Sequence, residues 1–102
     1  MSITAELSDG NKTCTIRIQG RFDFNLHKEF RKGYQTAPNP QGVDFIIDMG
    51  DVDYMDSSAL GMLLVLREQA GGERSSITIH NCNSDIEKIL EVSNFKNLFK
   101  VG

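Results

Sequence analysis

Apolar and polar residues alternate in two short stretches near the N-terminus, which is the pattern of half-buried strands. The stretches are Ile3–Leu7 and Thr13–Gln19, and Asp9-Gly10 lies between them. Asp-Gly between two alternating segments is a strong signal for a tight turn that joins antiparallel strands. The pattern therefore predicts an N-terminal hairpin with one apolar and one polar face.

The spacing of apolar residues then changes from two to four. Leu26, Phe30 and Tyr34 recur at helical spacing, and Asn25 is placed to cap the start of that helix. A loop with two prolines follows, and the apolar run Val43–Met49 predicts a central strand buried on both faces. Residues 50–56, rich in acidic and turn-forming side chains, are predicted to form a connecting loop.

The second half of the chain predicts two more helices and two more strands. Residues 57–70 have an unusually apolar helical pattern, which predicts a largely covered helix that Gly71-Gly72 ends. Residues 76–80 predict a short strand. Ser84 and Glu87 match a capping box, with Ser84 as the cap of a third helix. Phe95, Leu98, Phe99 and Val101 are expected to form a short turn and a last strand.

The order of these elements is strand, strand, helix, strand, helix, strand, helix, strand. Strands that alternate with helices imply parallel pairing with helical crossovers. The predicted fold is α/β, with a mixed, mostly parallel sheet, an antiparallel N-terminal hairpin and helices packed on the sheet. A chain of 102 residues has room for one core, so we expect one domain over residues 1–102.

Charge and cysteine content narrow the functional classes. The net charge is −3, which gives no basic footprint for nucleic acid. Cys14 and Cys82 have no metal-ligand spacing and are interpreted as small apolar residues. Neither a signal-peptide pattern nor an apolar run of spanning length is present, so we expect a cytoplasmic protein without a membrane or nucleic-acid partner.

The segment Asp56-Ser57-Ser58 carries the strongest hint of chemistry. It follows a predicted strand and opens the apolar helix, where backbone N–H groups lack intrahelical acceptors and the helix dipole is positive. A phosphate attached to a serine there would find donors already directed at it. Taken locally, the same residues are also ordinary helix-capping residues, and the two interpretations are compatible.

Metal binding and serine catalysis are less well supported. Asp48, Asp51, Asp53 and Asp56 do not match a calcium loop, because Asp56 stands where the glycine should be and Met62 where the glutamate should be. No nucleophile motif surrounds Ser57, and neither His27 nor His80 has a reason to meet it. We therefore expect no metal, no cofactor and no enzymatic activity.

A wider resemblance supports the phosphate interpretation. The segment Met55–Gly61 resembles the signature of STAS-domain anti-sigma factor antagonists of bacteria, and the resemblance extends over essentially the whole chain. It includes four further segments: Gly20–Asp23, Ile46–Met49, Gly71-Gly72 and Phe95–Phe99. The resemblance implies the STAS fold, with Ser57 as the phosphorylated serine and Ser58 as the fallback acceptor. It also implies a partner-binding surface formed by Asp23, Asp56, Ser57, Ser58, Ala59 and Met62.

The resemblance further implies a function. The unphosphorylated protein would bind an anti-sigma factor that is also an ATP-binding serine kinase, phosphorylation of Ser57 would release it, and a serine phosphatase would reset the switch. The alternative is a STAS subunit of a lipid-transport ABC complex, or another interaction module, that needs no phosphate. One departure from the family pattern is Ala59, where glycine is more frequent; its methyl is expected near the partner-facing surface.

Overall fold

The computed structural model describes residues 3–102 and contains one mixed sheet with helices packed against it. The strands are β1 (Ile3–Ser8), β2 (Thr13–Phe22), β3 (Asp44–Met55), β4 (Ser76–His80) and β5 (Lys100–Val101). The helices are α1 (His27–Gln35), α2 (Ser57–Gln69) and α3 (Ser84–Val92), with short 3₁₀ turns at Phe24–Leu26, Pro40–Gly42, Gly72–Arg74 and Phe95–Asn97.

The strands lie in the sheet in the order in which they occur in the chain. β1 and β2 are antiparallel, and each later strand runs parallel to its predecessor. Each parallel step is connected through a segment that contains one of the three helices. The predicted α/β fold, with its antiparallel hairpin and otherwise parallel sheet, is confirmed.

The core lies on one face of the sheet. Cys14, Ile16 and Ile18 of β2 are fully buried, and their partners across the sheet belong to the same buried cluster or pack against it. On β3, Phe45, Ile47 and Met49 are buried, whereas Ile46 and Asp48 between them are only half-buried. The prediction that this strand is buried on both faces is wrong, because the helices cover only one side of the sheet.

Strand β3 is also longer than predicted. Residues 50–55 continue the strand, and only Asp56 separates it from α2. The pairing with β2 shifts register twice, once between Arg17 and Gln19 and once between Gly20 and Arg21. These irregularities put Val52 and Met55 in the core at a spacing of three, which hides the period of two that identifies a strand.

Two helix starts differ from the predicted ones by the identity of the cap. Asp23, and not Asn25, accepts a hydrogen bond at the start of the 3₁₀ turn that leads into α1. Asn83, and not Ser84, caps α3, and its Oδ1 accepts from the Ile86 N–H at 2.8 Å. Both helices are present at the expected places.

Helix α2 is less covered than its composition predicted. Only Ala59, Leu63 and Leu66 are buried, whereas Leu64 and Val65 are 39% and 51% exposed. The helix ends before Gly71, as predicted, and that glycine has a φ of 112°. The uncovered apolar side of α2 faces solvent beside α1.

The two cysteines are free thiols. Cys14 is fully buried in the core and Cys82 is half-buried, and burial raises the pKa of both thiols. The interpretation of Cys14 as a small buried residue is confirmed. No helix within residues 3–102 has the length and apolarity needed to cross a bilayer.

Candidate functional site

The candidate site lies where β2 and β3 end side by side. Phe22 and Met55 pair across these strands, and the next residue after each strand is an aspartate. The Asp56 N–H donates to the Phe22 carbonyl at 3.4 Å, which joins the two strand ends. The sheet thus brings Asp23 and Asp56 together at one edge.

Both aspartates cap the helical turn that follows them. Asp23 Oδ1 accepts from the Asn25 N–H at 3.0 Å, and Asp56 Oδ1 accepts from the Ala59 N–H at 3.1 Å. Each has an extended backbone, the conformation of an N-cap residue. Their carboxylates are therefore held in place by backbone groups.

Ser57 is the first residue of α2 and is exposed, and Ser58 follows it half-buried. Asp56 occupies the cap position, so within the predicted capping segment Asp56-Ser57-Ser58 the aspartate is the cap and Ser57 is not. Asp56 already satisfies the Ala59 N–H, but the first N–H groups of a helix have no acceptor within the helix. Ser57 is thus exposed at the positive end of the helix dipole.

A cation lies on the same edge of the sheet. The Arg21 guanidinium carbon lies 4.2 Å from the centre of the Tyr54 ring, and its Nε is 3.6 Å from the Asp23 carboxylate. Arg21 and Tyr54 pair directly in the sheet, which explains why the two side chains meet. The ion pair is exposed on the arginine side and contributes little to stability, but it places one positive charge beside the capping carboxylate of Asp23.

The two remaining residues of the predicted partner surface, Ala59 and Met62, differ in burial. Ala59 is fully buried, so the prediction that its methyl lies at the partner-facing surface is wrong. It is the third residue of α2, and the turn that begins at Asp56 directs it into the core. Met62 is partly buried and reaches the surface in a groove between α1 and α2.

This α1–α2 groove has a volume of about 480 Å³ and a mostly apolar lining. It is bordered by Phe24, His27, Phe30, Arg31, Tyr34, Ser58, Gly61, Met62 and Val65. Phe24 is 60% exposed and stacks on the His27 ring at 4.4 Å between centroids. The sequence did not identify Phe24, His27 and Val65 as surface residues of the site. The available signal was that Phe24, in the 3₁₀ turn before α1, lies outside the apolar spacing of Leu26, Phe30 and Tyr34.

His27 is half-buried at the start of α1, and its ring is hydrogen-bonded to the preceding turn. Its Nδ1 is 3.0 Å from the Phe24 carbonyl oxygen, and because a carbonyl only accepts, Nδ1 carries the proton of that hydrogen bond. His27 and Ser58 line the same groove, but the ring is held by Phe24. His80 is at the end of β4, paired in the sheet with Asp48.

The acidic residues of β3 do not converge on a common point. Within residues 3–102, no three or more His, Cys, Asp or Glu side chains are grouped so as to hold a metal ion. Asp48 instead accepts from the Gly50 N–H at 2.9 Å and the Asn81 side chain at 3.2 Å, and it pairs with Arg17 at 3.2 Å. The Gly50 hydrogen bond is the main reason that the pKa of Asp48 lies below its ordinary value; burial acts against it, and Asn81 and Arg17 add to the lowering.

Comparison with known proteins finds similarity over the whole chain. The family model described as "Mlab, STAS domain" matches residues 6–100. A STAS-domain containing protein of Pseudomonas aeruginosa (strain UCBPP-PA14) is 48% identical over 103 residues, which cover 100% of both proteins. The anti-sigma-B factor antagonist of Bacillus subtilis (strain 168) is 21% identical over 102 residues, covering 100% of this chain and 93% of that protein.

The fold is similar to that of a solved Bacillus protein. The anti-sigma factor antagonist SpoIIAA in its unphosphorylated form has a TM-score of 0.80 at 20% identity, with 98% of this chain and 87% of that chain covered. The phosphorylated form of SpoIIAA, described as a Bacillus cell fate determinant, has a TM-score of 0.73 at 20% identity, with 98% and 90% covered.

Proposed function

The chain belongs to the STAS-domain family, and we propose that it is an anti-sigma factor antagonist that is switched by phosphorylation of Ser57. The observation that carries the proposal is the exposed serine at the first position of α2, directly after the capping Asp56. The similarity to proteins named as anti-sigma factor antagonists, one of them known in a phosphorylated form, supports the same role. Ser58 is the fallback acceptor.

The helix start makes a phosphate at Ser57 compatible with the fold. Unpaired N–H groups of the first turn and the positive end of the helix dipole stabilise an anion at this position. Ser57 is exposed, so the phosphate displaces no packed side chain. The expected effect of the modification on the fold is therefore small.

The expected effect on a docked partner is large. A phosphoserine adds about −1.5 to −2 charges at neutral pH, beside Asp56 and four residues after the exposed Asp53. Like-charge repulsion and an unmatched dianion at a packed interface would cost roughly 3 kcal/mol, which corresponds to about a hundredfold loss of affinity. The proposed partner surface is Asp23, Asp56, Ser57, Ser58 and Met62, without the buried Ala59.

The protein acts in this proposal as a substrate and a ligand, not as an enzyme. The partner is a serine kinase and anti-sigma factor that supplies the nucleotide, the metal ion and the base. The unphosphorylated protein binds this partner in the cytoplasm and releases the sigma factor or other target that the partner holds. A serine phosphatase restores the binding form.

A binding comparison with three variants tests the switch. Ser57→Ala and Ser57→Asp are compared for affinity to the cognate kinase, and Ser84→Asp serves as the control. Ser84 is the first residue of α3, after the capping Asn83, so its substitution adds the same charge at the same helical position elsewhere. We expect Ser57→Asp to bind about a hundredfold more weakly than Ser57→Ala, and Ser84→Asp to bind like the wild type.

Equal binding of Ser57→Ala and Ser57→Asp would contradict the proposal. That result is expected of a STAS subunit that docks without phosphate control. An equal loss of affinity in Ser57→Asp and Ser84→Asp would also contradict the proposal, because affinity would then depend on the net charge of the protein and not on the position of the charge.

A further inference from the structure

The two walls of the α1–α2 groove present side chains at the same helical spacing. His27, Phe30, Arg31 and Tyr34 face it from α1, and Ser58, Gly61, Met62 and Val65 face it from α2. Both sets follow the i, i+3, i+4, i+7 pattern, which places them along one line of each helix. The groove therefore runs along both helices as an elongated slot, with exposed apolar surface from Phe24 and Val65.

Gly61 has no structural reason to be a glycine in the free protein. It is exposed within α2, its φ is not in the left-handed region, and a Cβ at this position would meet no heavy atom within 4 Å. Glycine in a helix interior costs about 1 kcal/mol relative to alanine. The absence of a side chain on the groove wall is what a closely approaching neighbour requires.

The charges of the two walls differ. Helix α1 carries three basic residues and one acidic residue (Lys28, Arg31, Lys32 and Glu29) in a protein whose net charge is −3. Arg31 lines the groove, and Lys28 lies one turn earlier on the outer side of the same wall. The α2 wall is uncharged. An occupant that complements this surface is apolar along its centre and acidic along the edge that faces α1.

The groove also restricts the secondary structure of the segment that can bind in it. Both walls are helices, whose main-chain groups are hydrogen-bonded internally. An extended segment would find no strand edge here on which to pair its N–H and C=O groups, whereas a helix has satisfied its own.

We propose that the α1–α2 groove is the docking site for an amphipathic helix of the switch partner, with an apolar stripe flanked by acidic side chains. This inference rests on the proposed function and names the chemistry of the partner at the same site. Ser58 borders the groove directly after Ser57. A phosphate at that end would repel an acidic helix, which explains how modification of an exposed residue weakens binding along the whole slot.

Two charge reversals on α1 distinguish binding in the groove from binding elsewhere on the helix. Arg31→Glu and Lys32→Glu change the charge by the same amount at adjacent exposed positions. Arg31 lines the groove, whereas Lys32 lies on the side of the helix near Ile3 and Ala5 of β1. Thermal unfolding followed by circular dichroism checks that both variants fold.

The probe is a synthetic helical peptide of about 20 residues, long enough to be helical alone, with leucines on one face and glutamates beside them. A peptide with lysines in place of the glutamates is its control. Titration into ¹⁵N-labelled protein is expected to shift the amides of His27, Ser58, Gly61 and Val65. Arg31→Glu should weaken the glutamate peptide about tenfold, and Lys32→Glu should leave its affinity unchanged.

Three outcomes would overturn the proposal. These are the absence of saturable shifts with the glutamate peptide, equal effects of the two charge reversals, and tighter binding of the lysine peptide. Mapping of the phosphate on Ser57 uses neither the peptide nor the groove variants. If the kinase phosphorylates Ser57 but the peptide does not bind the unphosphorylated protein, only the groove proposal is rejected. If the peptide binds but no kinase phosphorylates Ser57, the proposed function is rejected.

Discussion

At the scale of single residues, the sequence predicted where helices begin but not which residue caps them. For two helices the cap-forming side chain lies one or two positions before the predicted one, Asp23 for Asn25 and Asn83 for Ser84. For α2, the predicted capping segment Asp56-Ser57-Ser58 contains the cap, and it is Asp56. Each segment offers several residues that can cap, and the backbone conformation at the end of the preceding strand or loop selects among them. That conformation depends on tertiary structure and cannot be read from composition.

The cap assignment predicts the effect of substitutions at Asp56. Asp56→Ala removes the acceptor of the Ala59 N–H, so we expect the free energy of unfolding to fall by about 1 kcal/mol. Asp56→Asn keeps a capping acceptor and should cost less than half of that. Urea unfolding of the three proteins measures both values. If alanine and asparagine are equally tolerated, Asp56 is not the cap that holds the start of α2.

At the scale of elements, the type and order of the helices and strands were predicted correctly, and the errors concern the burial of α2 and the length of β3. The apolar composition of α2 predicted a covered helix, yet Leu64 and Val65 are exposed. An apolar composition indicates that the surface of a helix becomes buried, but it does not indicate whether the same chain or a partner protein covers that surface. The length of β3 was missed because its register shifts interrupt the alternation of apolar residues.

Two glycines, Gly61 inside α2 and Gly71 just after its end, are expected to respond in opposite ways to substitution by alanine. Gly61→Ala should raise the free energy of unfolding by about 0.5–1 kcal/mol, because the position is helical and the space for a Cβ is open. Gly71→Ala should lower it by more than that, because Gly71 has a φ of 112°. Thermal unfolding of both variants tests this, and a stability loss in Gly61→Ala would mean that its groove wall is packed in the free protein.

At the scale of the whole molecule, the sheet has one buried face and one face without helices. The sequence predicted the α/β order and the parallel pairing, because the spacing of its apolar residues alternates between the periods of strands and helices. It did not predict that helices cover only one face of the sheet, because Ile46 extends an apolar run that is typical of a strand buried on both faces. On the open face, Arg17, Asp48 and Asn81 form a polar network.

The Asp48 network predicts a pH dependence of stability. The folded-state pKa of Asp48 lies below its ordinary value of 3.8, so the ionised carboxylate stabilises the fold above that value. This contribution is lost as the pH falls through the folded-state pKa. We expect wild type to lose more stability than Asp48→Asn between about pH 5 and the lowest pH at which both fold. Urea unfolding at several pH values measures it; parallel curves would show that the network does not depend on ionisation.

The central claim is that Ser57 is the residue that a partner kinase phosphorylates. The most direct test incubates the wild type, Ser57→Ala and Ser58→Ala with ATP and candidate partner serine kinases, and locates the phosphate by mass spectrometry. We predict one phosphate on Ser57 in the wild type and in Ser58→Ala, and none in Ser57→Ala. A phosphate on any other residue of the wild type, or undiminished phosphorylation of Ser57→Ala, would contradict the account.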